Sequence, residues 1–438
     1  MISMTTLSII MLVAFLLLIF LGVPIYICMM ACGVVGCAIV LQDFEASASF
    51  LSSAFMSTFT SYTVSVAPMF MLMGEIASES GLGGNMFTSC RKILGRIPAS
   101  LASSVQVACA VFGAVCGSAV ATSGLMSRVA IPEMQKHGYK DELSAGSVGA
   151  GASLSTLIPP SLPLITYGAS VQCSIGQLFM GGIFTGITLM LIFILIIQIW
   201  YIVDKKVAPK GEKYSFKDKL KALREGNIID VIVVFGISFL GMFTGWFTPT
   251  EAGCIGTLLM LIVVIINKKF SFKMMATAAV NALMLGGMMY CLLAGTNVFG
   301  KFFTLTGMSG MISDWVTAMD LSGFAFIAIL TVIFTIAGCF MDAMAVVLVT
   351  APLFLPILNQ FGYNEIWYGC YAVMITGLGA ITPPVGMGAY VISGITKIDL
   401  QTCFKGCAPF ILAFLLMAVV MTVFPEVAMW LPNMLYTS

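Results

Sequence analysis

Two stretches of the chain decide how it folds: residues 130–160, AIPEMQKHGYKDELSAGSVGAGASLSTLIPP, and residues 354–384, FLPILNQFGYNEIWYGCYAVMITGLGAITPP. A constant shift of 224 positions aligns them with six identities over 29 positions, five of which are Pro, Gly or Tyr. The identical pairs are Pro132 with Pro356, Gly138 and Tyr139 with Gly362 and Tyr363, Leu154 with Leu378, and Pro159-Pro160 with Pro383-Pro384. A double proline inside an apolar run stops or breaks a helix. Paired broken segments in the two halves of a membrane protein indicate the binding site of a secondary transporter.

Composition places the chain in a membrane. Of its 438 residues, 60% are hydrophobic and only 9% are charged, whereas a soluble globule has about a quarter charged residues. Apolar runs of roughly 20 residues recur along the whole length, which predicts an all-α polytopic membrane protein. The 13 cysteines are scattered, and His137 is the only histidine, so neither a zinc site nor a disulfide framework is expected.

The repeated stretch predicts two copies of one unit, residues 1–203 and 228–438, joined by a linker at 204–227. Each copy is expected to contain a re-entrant helical hairpin, at about 100–136 and 324–360. A broken helix follows each hairpin, at about 142–170 and 365–396. The other expected spans are 7–21, 25–41, 55–77, 178–203, 228–246, 251–267, 274–298 and 404–430, with loops after 41, 77 and 298.

The linker is the only long polar segment and carries eight Lys/Arg. Phe216, Leu220 and Leu223 share one helical face among its lysines, which favours an amphipathic helix lying on the membrane surface. A solvated linker is the alternative.

Charge distribution predicts the orientation. Five full crossings per copy is an odd number, so the second copy is expected to be inverted relative to the first. With the linker in the cytoplasm, 18 of the 20 Lys/Arg fall on the cytoplasmic side, as the positive-inside rule requires. Lys301 then lies outside, Arg128 lies within the membrane, and both termini are expected on the outer side.

Small and hydroxylated residues mark the first hairpin tip and its broken helix. Helix ends at mid-membrane offer N–H groups to an anion, and freed carbonyls with hydroxyls suit sodium. The candidate oxygens at the tip belong to Ser118, Thr122 and Ser123, and those on the broken helix to Ser153, Ser155 and Thr156. The alternative is that small residues here only permit tight helix packing.

The second tip carries a carboxylate. Asp342 occupies the position equivalent to Ser118, and the broken helix beside it reads TGLGAITPP from Thr376 to Pro384. A carboxylate at mid-membrane marks an ion or proton site. Asp342 could instead be a cap for the second helix of the hairpin.

Arg128 is the only basic residue expected within the membrane, eight residues before Lys136 and about 12 Å deeper. A substrate carboxylate would pair with its guanidinium in bidentate fashion. Snorkelling to the interface or pairing with Glu133 is the alternative.

These residues resemble the large membrane subunit of tripartite ATP-independent periplasmic (TRAP) transporters, the DctM-like family, over essentially the whole chain. Six motifs in order carry the resemblance: GSAVAT from Gly117, IPEM from Ile131 with Gly138-Tyr139, IPPS from Ile158, TPTEA from Thr248, Asp342 with APLFLP from Ala351, and GAITPPVG from Gly379.

The resemblance implies a sodium-coupled importer of an organic acid, such as a C4-dicarboxylate or sialic acid, that works by an elevator motion in the bacterial inner membrane. It implies two partners, a small four-helix membrane subunit as a separate chain and an extracytoplasmic substrate-binding protein. No cofactor beyond the coupling sodium and no nucleic acid is expected. The expected sodium ligands are Gly117, Ser118, Thr122, Ser153 and Ser155 in the first half, and Gly338, Asp342, Thr376, Gly377, Gly379 and Thr382 in the second. The expected substrate residues are Ser123, Arg128, Pro160, Ser161 and Pro384.

Other functions have weaker support. A potassium-type channel filter, TVGYG, is absent from the sequence, as are the HExxH and GxGD motifs of intramembrane enzymes and the nucleotide loop of a primary pump. A stand-alone sodium/anion symporter without a binding protein is the nearest alternative. The substrate and the number of sodium ions are not determined by the sequence.

Overall fold

A computed structural model describes residues 3–211 and 214–436. The secondary structure of this part is helical throughout, with no strand among the described residues. Six of the helices have at least 18 residues and are apolar enough to cross a membrane. The predicted fold class, an all-α polytopic membrane protein, is confirmed. The expected outer location of the two termini concerns ends of the chain that lie outside the described residues.

The described part of the first half, residues 3–203, contains ten α-helices. They are α1 (Met4–Phe20), α2 (Ile25–Leu41), α3 (Phe44–Phe59), α4 (Val66–Glu79), α5 (Leu82–Leu94), α6 (Ser100–Cys116), α7 (Ala119–Lys136), α8 (Asp141–Ser153), α9 (Leu162–Val171) and α10 (Ile175–Val203). A short 3₁₀ helix, Leu154–Thr156, extends α8.

The linker and the second half, described over residues 204–211 and 214–436, contain eleven α-helices. They are α11 (Phe216–Glu225), α12 (Ile228–Phe243), α13 (Pro249–Ile266), α14 (Phe272–Thr306), α15 (Met308–Ala318), α16 (Gly323–Phe340), α17 (Ala343–Gln360), α18 (Glu365–Gly379), α19 (Met387–Thr396), α20 (Leu400–Val423) and α21 (Glu426–Tyr436).

Several segments expected as loops are helices. The predicted span 55–77 is wrong, because the chain breaks at 60–65 between α3 and α4. The residues before it form most of α3, for which Asp43 is the N-cap, accepting a hydrogen bond from the Ala46 N–H at 3.0 Å. The expected loops after 77 and 298 hold α5, the end of α14 and α15, and the last span ends at Val423 rather than 430. Polar residues in these segments cap helices or face outward from them. The composition of the segments is therefore similar to that of loops.

Two pairs of consecutive helices and two broken helices lie in the predicted ranges, and the re-entrant course of the two hairpins stays a prediction. α6 with α7 and α16 with α17 are pairs of helices separated by only two residues. α8 and α9 are separated by the first double proline, and α18 and α19 by the second. Each proline lacks an N–H and clashes with a preceding helical turn, so the helix ends before it.

The two halves pack together through matching contacts, in which equivalent helices of each half contact equivalent helices of the other. α7 packs against α19, and its counterpart α17 packs against α9. Likewise α8 packs against α20, while α18 packs against α10. These helices, α6–α10 and α16–α20, form what we call the hairpin unit. The helices α1–α4 and α12–α14 pack mainly among themselves and form what we call the scaffold.

The linker contains a helix, as predicted, and this helix packs against α5 and α12. In α11, Leu220 is exposed and Ala222 is buried against α5, where the Ser89 hydroxyl donates to the Ala222 carbonyl at 2.7 Å. The side chain of Phe216, the third member of the predicted face, lies outside the described residues. α11 therefore bridges α5 and α12 on one face of the protein.

Glycine contacts set the spacing inside the hairpin unit. A Cβ at Gly146 of α8 would lie 2.0 Å from the Gly406 carbonyl oxygen of α20, and a Cβ at Gly406 would lie 1.9 Å from the Glu142 oxygen. Backbone meets backbone at both positions, so no flexible side chain can move aside.

We expect Gly406→Ala to lower the free energy of unfolding by about 1–3 kcal/mol, because the added methyl forces α8 and α20 apart. Thermal unfolding of the purified protein in detergent measures this loss. Gly236→Ala in α12 is the matched control, since nothing lies within 4 Å of its added Cβ. Equal melting temperatures for the two variants would contradict the predicted close contact.

Candidate functional site

Backbone geometry at the first hairpin tip requires glycine. Gly117 has φ +64°, and its N–H donates to the Gly113 carbonyl at 2.7 Å, which ends α6. A Cβ at this position would lie 2.8 Å from the Pro160 carbonyl oxygen. The tip therefore lies directly against the break of the neighbouring helix.

The two equivalent residues Ser118 and Asp342 are helix N-caps. The Ser118 hydroxyl accepts a hydrogen bond from the Ala121 N–H at 3.4 Å at the start of α7. The Asp342 carboxylate accepts one from the Met344 N–H at 2.9 Å at the start of α17. The capping role considered for Asp342 is therefore present, and the carboxylate is also exposed.

The breaks of α8–α9 and α18–α19 leave helix ends inside the protein. At the first break, Ser161 caps α9, accepting from the Leu164 N–H at 3.2 Å, and its hydroxyl donates to the Thr156 carbonyl. At the second, the Gly388 N–H of α19 donates to the Ala380 carbonyl at 3.0 Å, which joins the two pieces of the helix. Pro159 and Pro160 are buried, whereas Pro383 and Pro384 are exposed.

All four elements meet at one small cavity, which we call the central cavity. Its volume is about 40 Å³, room for roughly three waters at the ~10–15 Å³ that each needs. Sixteen residues line it: Ala119, Val120, Ser123, Gly149, Ala152, Ser153, Thr156, Met341, Asp342, Ala343, Thr376, Gly377, Ala380, Ile381, Met387 and Gly388. Both hairpin tips and both broken helices contribute, so the cavity exists only because the two halves fold together.

Three of the four side-chain hydroxyl groups that line the central cavity donate their protons to backbone carbonyls. Ser153 donates to the Ala150 carbonyl at 2.6 Å, Thr156 to Ser153 at 2.8 Å and Thr376 to Val373 at 2.8 Å. A hydroxyl has one proton and two lone pairs, so each of these oxygens remains an acceptor. Together with the Asp342 carboxylate, they offer oxygen ligands to a hard cation. Among the described residues, no cluster of three His, Cys, Asp or Glu suits a transition metal.

Six of the candidate site residues line the central cavity: Ser123, Ser153, Thr156, Asp342, Thr376 and Gly377. Apart from Arg128, the other candidates belong to the same hairpins and broken helices but do not line the cavity: Gly117, Ser118, Thr122, Pro160, Ser161 and Ser155 in the first half, and Gly338, Gly379, Thr382 and Pro384 in the second. Gly379 has a packing role, because a Cβ there would lie 2.5 Å from the Gly338 carbonyl carbon. In the first half, Ser155 packs in the same way against Gly113.

Arg128 lies away from the central cavity. It is exposed on α7, nine residues and about 14 Å after the start of that helix. Glu133, the alternative partner, instead pairs with Arg91 of α5, whose guanidinium also contacts His137 Nε2 at 2.8 Å. No contact of Arg128 with Glu133 is present in the described part of the chain.

Sequence reasoning missed the apolar and small residues of the wall. Gly149 and Ala152 line the cavity beside Ser153 and Thr156. These four follow the i, i+3, i+4, i+7 spacing of one helix face, a signal that could have identified them. Met341, Met387 and Ile381 gave no such signal, because only the crossing of the two halves brings them to the cavity.

Comparison with known families supports the same assignment. Residues 12–427 match the family described as Tripartite ATP-independent periplasmic transporter, DctM component. This chain belongs to the DctM family. The resemblance noted in the sequence is confirmed, and membership makes the chain a component of a transporter rather than an enzyme.

Three relatives, each named for a different substrate, illustrate the similarity of this chain to transporter permeases. The C4-dicarboxylate large permease DctM of Pseudomonas aeruginosa is 30% identical, with 93% of this chain and 94% of the relative covered. The sialic acid large permease SiaM of Vibrio cholerae is 26% identical, covering 88% and 90%. The isethionate permease DctMQ of Oleidesulfovibrio alaskensis is 28% identical, covering 95% of this chain but 65% of the longer relative.

A solved structure shares the fold. The crystal structure of the YdaH transporter of Alcanivorax borkumensis, described as having an unusual topology, superposes with a TM-score of 0.66. The match covers 90% of each chain at 13% identity.

We expect Gly117→Ala to destabilise the first hairpin by about 1–2 kcal/mol, because a left-handed conformation is unfavourable for alanine and its methyl would crowd Pro160. The melting temperature in detergent reports the change. Gly124→Ala, on the same hairpin, is the control, since its Cβ would make only an ordinary 3.8 Å contact with Ile395 Cδ1. A Gly117→Ala protein as stable as this control would contradict the tip geometry.

Proposed function

We propose that this DctM-family protein imports a small organic acid across the bacterial inner membrane, driven by sodium ions that bind at the central cavity. The observation that supports this proposal most directly is the meeting of two hairpin tips and two broken helices at one cavity. Opened backbone at such a point supplies both N–H groups and carbonyls, which suit an anion and a cation in the same place.

Sodium is the cation that fits the available ligands. Hydroxyl oxygens with occupied protons, backbone carbonyls and one carboxylate form a hard oxygen set without nitrogen or sulfur ligands. Asp342 of the second half supplies the negative charge, and Ser153 of the first half supplies a neutral oxygen. A sodium ion bound there neutralises the carboxylate and prepares the cavity for an anionic substrate.

The substrate is proposed to be an organic anion. The three relatives are named for C4-dicarboxylates, sialic acid and isethionate, all of which carry an acidic group. Ser123 lies in the central cavity at the first tip, and Ser161 and Pro160 line the adjoining break. Arg128 on α7 would attract the anion from outside the cavity, because its charged group is exposed.

The transport step is proposed to be a sliding motion of the hairpin unit along the scaffold. The two groups of helices meet where α4 contacts α6 and α9 and where α14 contacts α9 and α17. They also meet where Phe179 of α10 packs against Phe70 of α4 and Phe239 of α12. The chain connects them through short segments and through α5 and α11. The two halves are proposed to be inverted repeats, residues 1–203 and 228–438, so that one arrangement opens to each side of the membrane.

The orientation follows the positive charges. We infer that the linker at 204–227 with α11 is cytoplasmic and that Lys301 lies outside. Lys140 and Asp204, which bracket the expected cytoplasmic ends of α8 and α10, form an ion pair at 2.6 Å. This pair lowers the pKa of the Asp204 carboxyl, chiefly through the hydrogen bond from Lys140.

Two partners complete the proposed transporter. A small four-helix membrane subunit, as a separate chain, would pack on the lipid-facing surface, and an extracytoplasmic binding protein would deliver the acid. The isethionate relative supports the first, because its name joins M and Q and this chain covers only 65% of it.

Substitution of Asp342 distinguishes its role as the cap of α17 from its proposed role as a sodium ligand. We expect Asp342→Asn to keep the cap of α17, since asparagine caps as well as aspartate, but to raise the sodium concentration for half-maximal uptake at least ten-fold. Uptake in proteoliposomes with the binding protein and small subunit measures this, and the melting temperature confirms the retained cap. Ser118→Ala and Thr382→Ala should raise the sodium requirement less. Unchanged sodium dependence in all three would exclude the proposed ion site.

Arg128 is tested by charge removal. We expect Arg128→Gln to raise the KM for the organic acid several-fold with little change in stability, because the side chain is exposed and forms no hydrogen bond or ion pair among the described residues. Arg128→Lys is the matched control and should retain most of the affinity. Uptake by Arg128→Gln at the wild-type KM would remove this residue from the substrate path.

A further inference from the structure

A second polar cavity lies between the scaffold and the hairpin unit, and we call it the outer cavity. Its volume is about 110 Å³, and it lies where α3 and α9 end beside the middle of α14. Six of its nine lining residues carry a hydroxyl or an amide: Ser57, Thr58, Ser61, Ser170, Gln172 and Asn297. The other three, Val64, Ala169 and Leu293, are apolar, so the wall itself is polar and uncharged.

The outer cavity has the room and the groups to hold a small polar solute. At ~15 Å³ for each water, it has space for about seven, more than twice the central cavity. One contact fixes its wall: the Asn297 amide donates to the buried Thr58 hydroxyl at 3.3 Å. Polar side chains gathered on membrane-spanning elements are costly and commonly mark a substrate path.

A positive charge lies next to the outer cavity. Lys301 follows Asn297 by four residues on α14, so the two side chains share one face of the helix. Lys301 is exposed, and its Nζ lies 5.4 Å from the centre of the Phe50 ring on α3, a cation–π contact that holds the chain across the helix pair. In the orientation proposed above, Lys301 is the only Lys/Arg on the outer side. An anion arriving from outside therefore meets this charge beside a polar pocket.

We propose that the outer cavity, with Lys301 one helical turn beyond Asn297 on α14, is a receiving site that binds the organic acid before it reaches the central cavity. Lys301 pairs with the acidic group, while the serine hydroxyls and the amides of Asn297 and Gln172 bond to the hydroxyl and carbonyl oxygens of the acid. This inference rests on the proposed function as an organic-acid importer. Ser170 and Gln172 belong to the hairpin unit and Ser57 and Asn297 to the scaffold, so the site forms only in one relative position of the two.

Uptake kinetics test the site. Proteoliposomes that contain the transporter, the small subunit and the binding protein are first supplied with succinate, sialic acid or isethionate. The acid that the unsubstituted protein transports is then used to measure KM for each variant. We expect Lys301→Gln to raise KM roughly two- to five-fold, the size of one partly exposed ion pair, with kcat unchanged. Asn297→Leu should raise KM as well, and Lys301→Arg should restore it. Lys273→Gln, an exposed lysine near the other end of α14, is the matched control and should have no effect.

Thiol labelling tests the outer cavity without a known substrate. Asn297→Cys in right-side-out vesicles is treated with a membrane-impermeant anionic thiol reagent and with a cationic one of similar size, relative to the chain without this substitution. We expect the introduced thiol to react from outside, faster with the anionic reagent, and Lys301→Gln to abolish that preference.

Each outcome decides the proposal. An unreactive thiol at 297, or a reagent preference that Lys301→Gln leaves unchanged, would overturn the receiving site even if sodium-driven uptake is normal. Unchanged KM in both Lys301→Gln and Asn297→Leu would also overturn it. If the unsubstituted protein carries none of the probes or ignores sodium, the proposed function fails, while the labelling still decides whether an anion-attracting cavity faces outward.

Discussion

Backbone polar groups that lose their helical partners must find others in a membrane, and the structure depends on this constraint. Lipid offers no hydrogen bonds, so a broken helix is tolerated only where protein or water surrounds the break. At the first double proline, Ser161 caps α9; at the second, no side chain caps α19, and the Gly388 N–H instead donates to the Ala380 carbonyl. Ser118 and Asp342 cap the second helix of each hairpin.

Close approach of backbones is the second requirement, and glycine provides it. Gly117 lies against Pro160, Gly379 against Gly338, and Gly146 against Gly406. Each contact joins a hairpin or a broken helix to its neighbour without an intervening side chain. Tight internal packing of the hairpin unit suits the proposal that it moves as one body.

A small number of polar groups line the two cavities, and their type and position differ between the two. The central cavity joins one carboxylate to several hydroxyls with occupied protons, an arrangement suited to a cation. The outer cavity is lined by hydroxyls and amides, and Lys301 lies one helical turn beyond it on α14. The first cavity lies within the hairpin unit and the second at its border with the scaffold. These positions support the proposal that a cation and an acid bind before both are moved.

The sequence by itself determined the class of protein, the positions of two helix pairs and two broken helices, a helix in the linker, and six residues that line the central cavity. Those features depend on local causes: proline ends helices, glycine permits tight turns, and long apolar runs require lipid. Only the tertiary structure decided that α3 is separate from α4, that Glu133 pairs with Arg91 and leaves Arg128 exposed, and that Met341, Ile381 and Met387 close the cavity wall. These facts arise from contacts between segments far apart in the chain. Local composition carries no record of which segments will meet, so the crossing of the two halves had to be seen before the cavities could be described.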